Sequence, residues 1–369
     1  MDRAPRVAIV SDPLVQRGGA ERVVEAIARA FPEAPIFALL YSRKTGPASL
    51  ASRVISSPLG RVPGATRWHR MFLPFFPAAI EHLDVSSYDV IISSHHTVAK
   101  AVLRGAHSVH ISYCHTPMRA LWERTHEELA TLPFLARPLA AAILGRLRVW
   151  DVATVPRVDA FVANSRTTQE RIRKHYSRES TVVFPPIDID RFTPGDDEVG
   201  DYYLVASRLV PYKRIDLALD ATQLAGRKLI IVGDGPGRAG LVARGADVRG
   251  HVSDEELVRL MRGARALLFP QFEDFGMTPV EMMACGRPVI AYGRGGGAET
   301  VIDGVTGVLV DEQTPEAFAR GIERFESLTI SPDACRRQAE TFTEARFREE
   351  LREVVWSAFA RSGRRVERV

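Results

Sequence analysis

Two doubly wound α/β domains in tandem are what this chain predicts, on three observations. Its 369 residues exceed one ordinary core, and an apolar content of 46% is enough for two. Short apolar runs alternate with amphipathic stretches from end to end, the pattern of parallel strands covered by helices. A proline-bearing run from Phe184 to Gly195 interrupts that alternation near mid-chain and marks a stiff linker with the hinge in it. The expected domains are 1–187 and 188–341, with 342–369 as a tail. Within that tail, Phe342 to Phe359 reads as one amphipathic helix long enough to cross back to the first domain.

In the first domain the predicted strands are Val7 to Val10, Pro35 to Leu40, Val90 to Ser93, Val109 to Cys114 and Ala160 to Ala163. In the second they are Tyr202 to Ala206, Leu229 to Val232, Ala266 to Phe269, Pro288 to Ala291 and Val305 to Val310. No repeat of solenoid length interrupts them. Ligands of open α/β sheets bind beyond the carboxyl ends of the strands, so the loops that follow the strands are where chemistry is expected.

The most informative loop is Glu273-Asp274-Phe275-Gly276-Met277-Thr278-Pro279-Val280-Glu281, two carboxylates eight positions apart across a glycine turn and a helix start. Thr278 reads as N-cap, Pro279 as the first helical residue, Glu281 as N3, and Gly286 as the stop. Backbone N–H groups from Gly276 to Val280 then point free at a helix N-terminus, a natural seat for a phosphate. Glu281 serves equally as the back-bonding member of a capping box or as a ligand contact. Glu273, among aromatic residues beyond a strand end, is costly to desolvate without a partner and reads as a group that faces a ligand's hydroxyls.

Four other loops converge on the same chemistry. After the first strand, Gln16-Arg17-Gly18-Gly19-Ala20-Glu21 offers two glycines that let backbone approach a phosphate, or that merely make the turn. Arg208 and Lys213 share a loop after the strand Tyr202 to Ala206, where two fixed cations can stabilise a leaving diphosphate in place of a metal. His115 follows Val109 to Cys114 and suits holding a sugar hydroxyl or sharing a proton; packing alone is the other reading. Gly293-Arg294-Gly295-Gly296-Gly297-Ala298-Glu299 is either a donor-approaching loop or a plain connection.

Composition sets limits. Three cysteines without a Cys-x-x-Cys pair argue for thiols in a reducing compartment and against structural zinc. No metal is expected: Asp188-Ile189-Asp190 lies in the linker and reads as a turn, and the neighbours His95 and His96 point apart without a third ligand. The N-terminus runs straight into a strand, with no apolar run long enough to span a bilayer, so a cytoplasmic location is expected. Residues 1–187 carry 24 Lys+Arg against 15 Asp+Glu, and the remainder 25 against 30, so a basic first half meets an acidic second. An anionic membrane surface or lipid phosphate acceptor fits that asymmetry; nucleic acid does not, for the basic residues are scattered and no nucleic-acid motif accompanies them. The run Arg61 to Phe76 mixes cations with large apolar residues, either as an interfacial lip or as a cap on the core.

Taken in order, Gly18-Gly19-Ala20-Glu21, Tyr113-Cys114-His115-Thr116-Pro117, Ala163-Asn164-Ser165, Ile187-Asp188 through Phe192, Ser207-Arg208 with Lys213, Gly233-Asp234-Gly235-Pro236 and Glu273 through Glu281 resemble the retaining glycosyltransferases of family 4. The resemblance implies the GT-B architecture, two Rossmann-like domains facing across a cleft. Ser93-Ser94-His95-His96 and Cys114 to Arg119 look most like a bacterial subgroup that takes mannose from GDP-mannose to build surface polysaccharides. By the same resemblance, Gly18, Gly19, Gly276, Met277 and Thr278 would hold the donor diphosphate, with Arg208 and Lys213 as its cations. Glu273 would meet the sugar hydroxyls, Glu281 the ribose, and His115 a hydroxyl near the anomeric carbon. The nucleotide sugar is then a substrate rather than a cofactor, and the acceptor a lipid-linked glycan at the inner face of the membrane. A UDP-sugar donor, a nucleotide-sugar 2-epimerase and a non-catalytic binding subunit are the alternatives.

Overall fold

The computed structural model describes residues 3–363; the extreme ends of the expected first domain and tail, 1–2 and 364–369, lie outside the described residues. The chain divides into two compact units, one of residues 1–184 with 347–369 and the other of residues 185–346.

The first unit is built on seven strands: β1 Val7–Ser11, β2 Ile36–Ala38, β3 Val54–Ser56, β4 Val90–His95, β5 Val109–Cys114, β6 Ala160–Ala163 and β7 Ser180–Val182. They lie side by side in the order β3-β2-β1-β4-β5-β6-β7, every pair parallel. The central strands are buried on both faces: β1 reads as a nearly unbroken apolar run, whereas β4 and β5 interleave Ser93, Ser94, His95, His110 and Ser112 with their apolar residues. One face is closed by Val23, Val24 and Ile27 of the helix Gly19–Ala30, and by Phe347, Leu351 and Val355 of the C-terminal helix Glu344–Arg361. Phe347 meets the Tyr113 ring edge-on at 5.6 Å, and Arg352 donates to the Ala30 carbonyl at 2.7 and 2.9 Å.

The second unit carries six parallel strands: β8 Tyr203–Ala206, β9 Leu229–Val232, β10 Asp247–Gly250, β11 Leu267–Phe269, β12 Val289–Tyr292 and β13 Gly307–Val310, in the order β10-β9-β8-β11-β12-β13. The proline-bearing run from Pro185 onward is fastened to this unit. Ile187 donates to the Phe342 carbonyl at 2.9 Å, and Arg336 Nη1 reaches the carbonyls of Ile189 and Phe192 at 2.9 and 2.8 Å. Asp188 accepts the Arg191 amide at 3.2 Å, the turn geometry its sequence suggests.

Three strands escape the sequence pattern: β3, β7 and β10. Each lies at a sheet edge and is three or four residues long, and β10 reads Asp-Val-Arg-Gly, so none has enough apolar alternation to stand out. The expected strand Pro35 to Leu40 contracts to Ile36–Ala38, and Val305 to Val310 begins only at Gly307. The helix after Glu273 also differs from expectation. It runs Met277–Ala284 with Gly276, not Thr278, as N-cap, so Pro279 is its third residue and Glu281 its fifth. Gly276 adopts φ +78°, which lets the chain turn into the helix two residues earlier than the Thr-Pro signal indicates. Gly286, at φ +75°, donates to the Met283 carbonyl and ends the helix.

Candidate functional site

In each unit the strand order reverses once, and ligands of doubly wound sheets bind at that reversal. In the second unit it falls between β8 and β11. The loop after β8 supplies Arg208 and Lys213, and the loop after β11 supplies Glu273. Lys213 and Glu273 form an ion pair, each with a mostly covered side chain. Lys213 Nζ also lies 5.4 Å from the Tyr212 ring centre, and the same tyrosine's hydroxyl accepts from Arg208 Nη2 at 3.1 Å. Arg208 itself is exposed.

Glycines brace both loops. Gly233 and Gly235, at positive φ, press against the backbone of Ser207 and Leu209: a Cβ at Gly235 would stand 2.6 Å from the Leu209 carbonyl oxygen. Leu209 N donates to the Asp234 carbonyl and Gly237 N to that of Leu209, both at 2.9 Å, which fixes the arginine's loop. On the other side, Gly296 N donates to the Glu273 carbonyl at 2.9 Å. A Cβ on Gly296 would collide with the Phe275 carbonyl, and one on Gly295 would stand 2.5 Å from the Glu273 carbonyl oxygen. The glycine run 295–297 therefore lets two backbones touch and holds the acidic loop in shape, a role its sequence did not disclose.

Beyond Glu273, the helix Met277–Ala284 presents its first amides, those of Met277 and Thr278; Pro279 contributes none. Glu281 is buried within the helix. Two residues before Glu273, the buried Gln271 has an Oε1 atom without a hydrogen-bond partner among the described residues, an acceptor that no local pattern singles out.

In the first unit the reversal lies between β1 and β4. Asp12, just past β1, accepts the amides of His96, Thr97, Val98 and Ala99 at 2.6 to 2.9 Å and so ties the two strand ends together. Nothing in its spacing marks it for that role. Gly18 caps the helix Gly19–Ala30, but its amide already donates to Glu21 Oε2 at 3.1 Å, leaving Gly19 as the first unclaimed helical amide. Burial raises the Glu21 carboxyl above its ordinary value. A cavity of about 10 Å³, room for one water, lies among Asp12, Glu21, Ser94 and His96.

His115 follows β5 and is partly exposed, its Nε2 2.8 Å from Ser94 Oγ and its ring edge-on to Tyr113 at 5.3 Å. Burial, with His96 nearby, pushes its pKa down to about 3, so the imidazole is neutral near pH 7. His95 and His96 diverge as strand neighbours do: His95 is wholly buried, whereas His96 lies 3.3 Å from Asp12 and 6.1 Å from the His115 ring. The three cysteines are free and buried, and burial raises the Cys114 thiol.

Two family models match in succession: Glycosyltransferase Family 4 over residues 17–191 and Glycosyl transferases group 1 over residues 186–342. The chain belongs to glycosyltransferase family 4. Similar curated members of the family include the D-inositol 3-phosphate glycosyltransferases of Mycobacterium sp. (strain JLS), 31% identical over 219 residues, and of Streptomyces avermitilis, 29% identical over 223 residues. The matches take in 52% and 50% of this family 4 chain, and 49% and 47% of those relatives, about half their length. Among solved structures, Anabaena HepE in complex with UDP and glucose has a TM-score of 0.69 at 18% identity, covering 96% of this chain and 100% of that one. Sucrose-phosphate synthase from Thermosynechococcus elongatus has 0.70 at 18%, with coverages of 96% and 100%. These likenesses establish the GT-B fold.

Proposed function

We propose that this chain transfers a hexose from a nucleotide sugar to an acceptor hydroxyl with retention of configuration, without a metal ion. The observation that carries the reading is the Lys213–Glu273 pair at the strand-order reversal of the second unit, with Arg208 joined to Lys213's loop through Tyr212 and the helix Met277–Ala284 beginning four residues after Glu273. In the free protein the ammonium and carboxylate satisfy each other. With donor bound, Lys213 and Arg208 turn to the diphosphate, Glu273 to the sugar hydroxyls and Glu281 to the ribose. Cleavage of the glycosidic bond leaves negative charge on the diphosphate, where fixed cations and helix amides act on the transition state more than on the ground state. The acceptor oxygen attacks from the face the diphosphate leaves, and its proton passes to the departing phosphate oxygen. Gly19 serves the diphosphate from the first unit, and neutral His115, set by Ser94, holds a sugar hydroxyl.

Mannose from GDP-mannose is the donor that the segments Ser93 to His96 and Cys114 to Arg119 favour, with a lipid-linked glycan as acceptor. A UDP-sugar is the second reading, favoured by the UDP and glucose bound to the structurally similar HepE. Purified chain incubated with GDP-mannose and a panel of UDP-hexoses should release nucleoside diphosphate from one of them when a lipid-linked acceptor is supplied, and EDTA should not slow it. Strict dependence on added divalent metal would overturn the reading. Glu273→Gln should lower turnover by roughly 100-fold with nucleotide affinity nearly unchanged; unchanged turnover removes Glu273 from the site.

A further inference from the structure

A helical hairpin of the first unit ends in an apolar tip that no part of the transfer chemistry uses. The short helix Thr125–Ala130 turns at Leu132-Pro133 into the single 3₁₀ turn Phe134–Ala136 and then the helix Arg137–Ala153. From Thr131 to Ala142 every residue but Ala140 is exposed. Phe134 is 78% exposed and Leu135 89%, with Leu139 close behind. Large apolar residues of a soluble surface are seldom gathered so densely without a function.

The tip is built rather than frayed. At the root, Leu144 and Leu147 pack with Met118 and Leu121. At the tip, Arg137 folds back to donate to the carbonyls of Leu132 and Ala130, both at 3.1 Å, and Ala136 N donates to the Pro133 carbonyl at 2.9 Å. Peptide groups satisfied within the segment are what a hydrocarbon environment demands.

The run flagged in the sequence for its mixture of cations and apolar residues adjoins this hairpin. It forms a 3₁₀ helix, His69–Phe75, whose Leu73 packs into the same cluster as Leu144 and Leu147, while Met71 at 77% and the neighbouring Phe75 and Trp68 stay exposed. It is thus a cap on the core by one side chain and an exposed apolar edge by others. Residues 57–80 and 131–150 together hold six arginines, at 61, 67, 70, 137, 146 and 148, and no Asp or Glu.

We infer that the hairpin tip and the adjoining 3₁₀ helix form a membrane-docking surface that inserts Phe134, Leu135 and Leu139 among the acyl chains of an anionic bilayer while the exposed Arg61, Arg67, Arg70 and Arg146 meet its headgroups. Charge decides between occupants. A second copy docked face to face would set one net positive face against another, since the exposed Arg61, Arg67, Arg70 and Arg146 outnumber Glu127 and Glu128 of the hairpin's first helix, and Glu127 is already paired with Arg124 at 2.8 Å. Anionic headgroups over hydrocarbon complement both the sign and the apolar centre. Three inserted side chains on a folded hairpin make a reversible, interfacial contact.

Vesicle binding tests this without reference to transferase activity, so its outcome is separate from that of the function above. The full chain, sedimented with phosphatidylglycerol–phosphatidylcholine vesicles, should bind them, should bind pure phosphatidylcholine far less, and should release as salt rises. The triple variant Phe134→Ser/Leu135→Ser/Leu139→Ser should lose about tenfold or more of the partition coefficient with an unchanged thermal melt, since all three side chains are exposed. Arg61→Gln/Arg67→Gln/Arg70→Gln should erode the preference for phosphatidylglycerol by about fivefold per residue. Failure of the wild-type chain to bind anionic vesicles overturns the inference, as does a triple serine variant that binds as well as wild type. So does a concentration-dependent dimer, seen by analytical ultracentrifugation, that the serine variant abolishes while vesicle binding stays absent.

Discussion

Lowering the pH from 7 to 5.5 should destabilise the first unit through three histidines. Burial pushes the pKa of His95 well below the ordinary value, that of His110 down to about 4 and that of His115 down to about 3. All three therefore stay neutral in the folded chain across this window, while in the unfolded chain they take up protons near the ordinary histidine pKa of about 6.5. The unfolded state binds more protons, so stability rises with pH and falls on acidification. Each histidine contributes roughly 1.2 kcal/mol over the interval, and three contribute about 4 kcal/mol, a large share of a domain's roughly 5–15 kcal/mol. Carboxylates held low, such as Glu326 at about 2 beside Arg227, lose their contribution at lower pH; His69 and His175, also lowered by burial, add to the slope, and Glu21, raised by burial, subtracts from it. Urea unfolding followed by circular dichroism at several pH values across the window measures the slope. Neither ring nitrogen of the buried His95 has a hydrogen-bond partner among the described residues, so His95→Leu should remove roughly 1.2 kcal/mol of the change without orphaning a polar group. A midpoint that does not move between pH 7 and 5.5, or a leucine variant that keeps the full slope, refutes the reasoning.

Three substitutions probe the rest. Arg208→Ala should weaken nucleoside diphosphate binding by about 2–4 kcal/mol with the melting temperature unchanged, because the side chain is exposed; calorimetry reads it directly. Gly296→Ala forces the Phe275 carbonyl aside and should lower turnover together with about 1–3 kcal/mol of stability, measured by kinetics and thermal melting of one preparation. Lys100 and Asp151 form a wholly buried ion pair at 2.9 Å, so Lys100→Met should cost about 3–5 kcal/mol in urea, part of it regained in Lys100→Met/Asp151→Asn, which removes the orphaned charge and keeps an acceptor for Trp122 and Tyr176.

The inner strands were legible in the sequence because burial on both faces favours apolar residues: β6 and β9 are continuous apolar runs, β5 carries Val109, Ile111 and Tyr113 at alternate positions, and all three have the boundaries their composition suggests. Edge strands were not, since a strand that pairs on one side needs little apolar surface. At the candidate site, the residues that attract attention by charge or by a glycine turn were visible: Arg208, Lys213, Glu273, Gly276. Residues that act by fit were not. Asp12 works through four amides more than eighty positions away, and Gly295 and Gly296 through contact with a loop twenty residues earlier in the chain. Such pairings depend on which strand ends become neighbours, and no local spacing encodes that. The Thr278-Pro279 start signal misled for a related reason: it states where a helix can begin, whereas the left-handed Gly276 states where this one does.

Phe347, Leu351 and Val355 lie more than 160 positions beyond β7, yet they finish the core that β1 begins. A ribosome that has released residues 1–184 has thus delivered a sheet with one apolar face covered only in part, by the helix Gly19–Ala30, and the rest of the cover emerges only after all of the second unit. Maturation of the amino-terminal half therefore waits for the helix Glu344–Arg361, and a fragment cut at the unit boundary would bring a half-covered, sticky sheet face into solution.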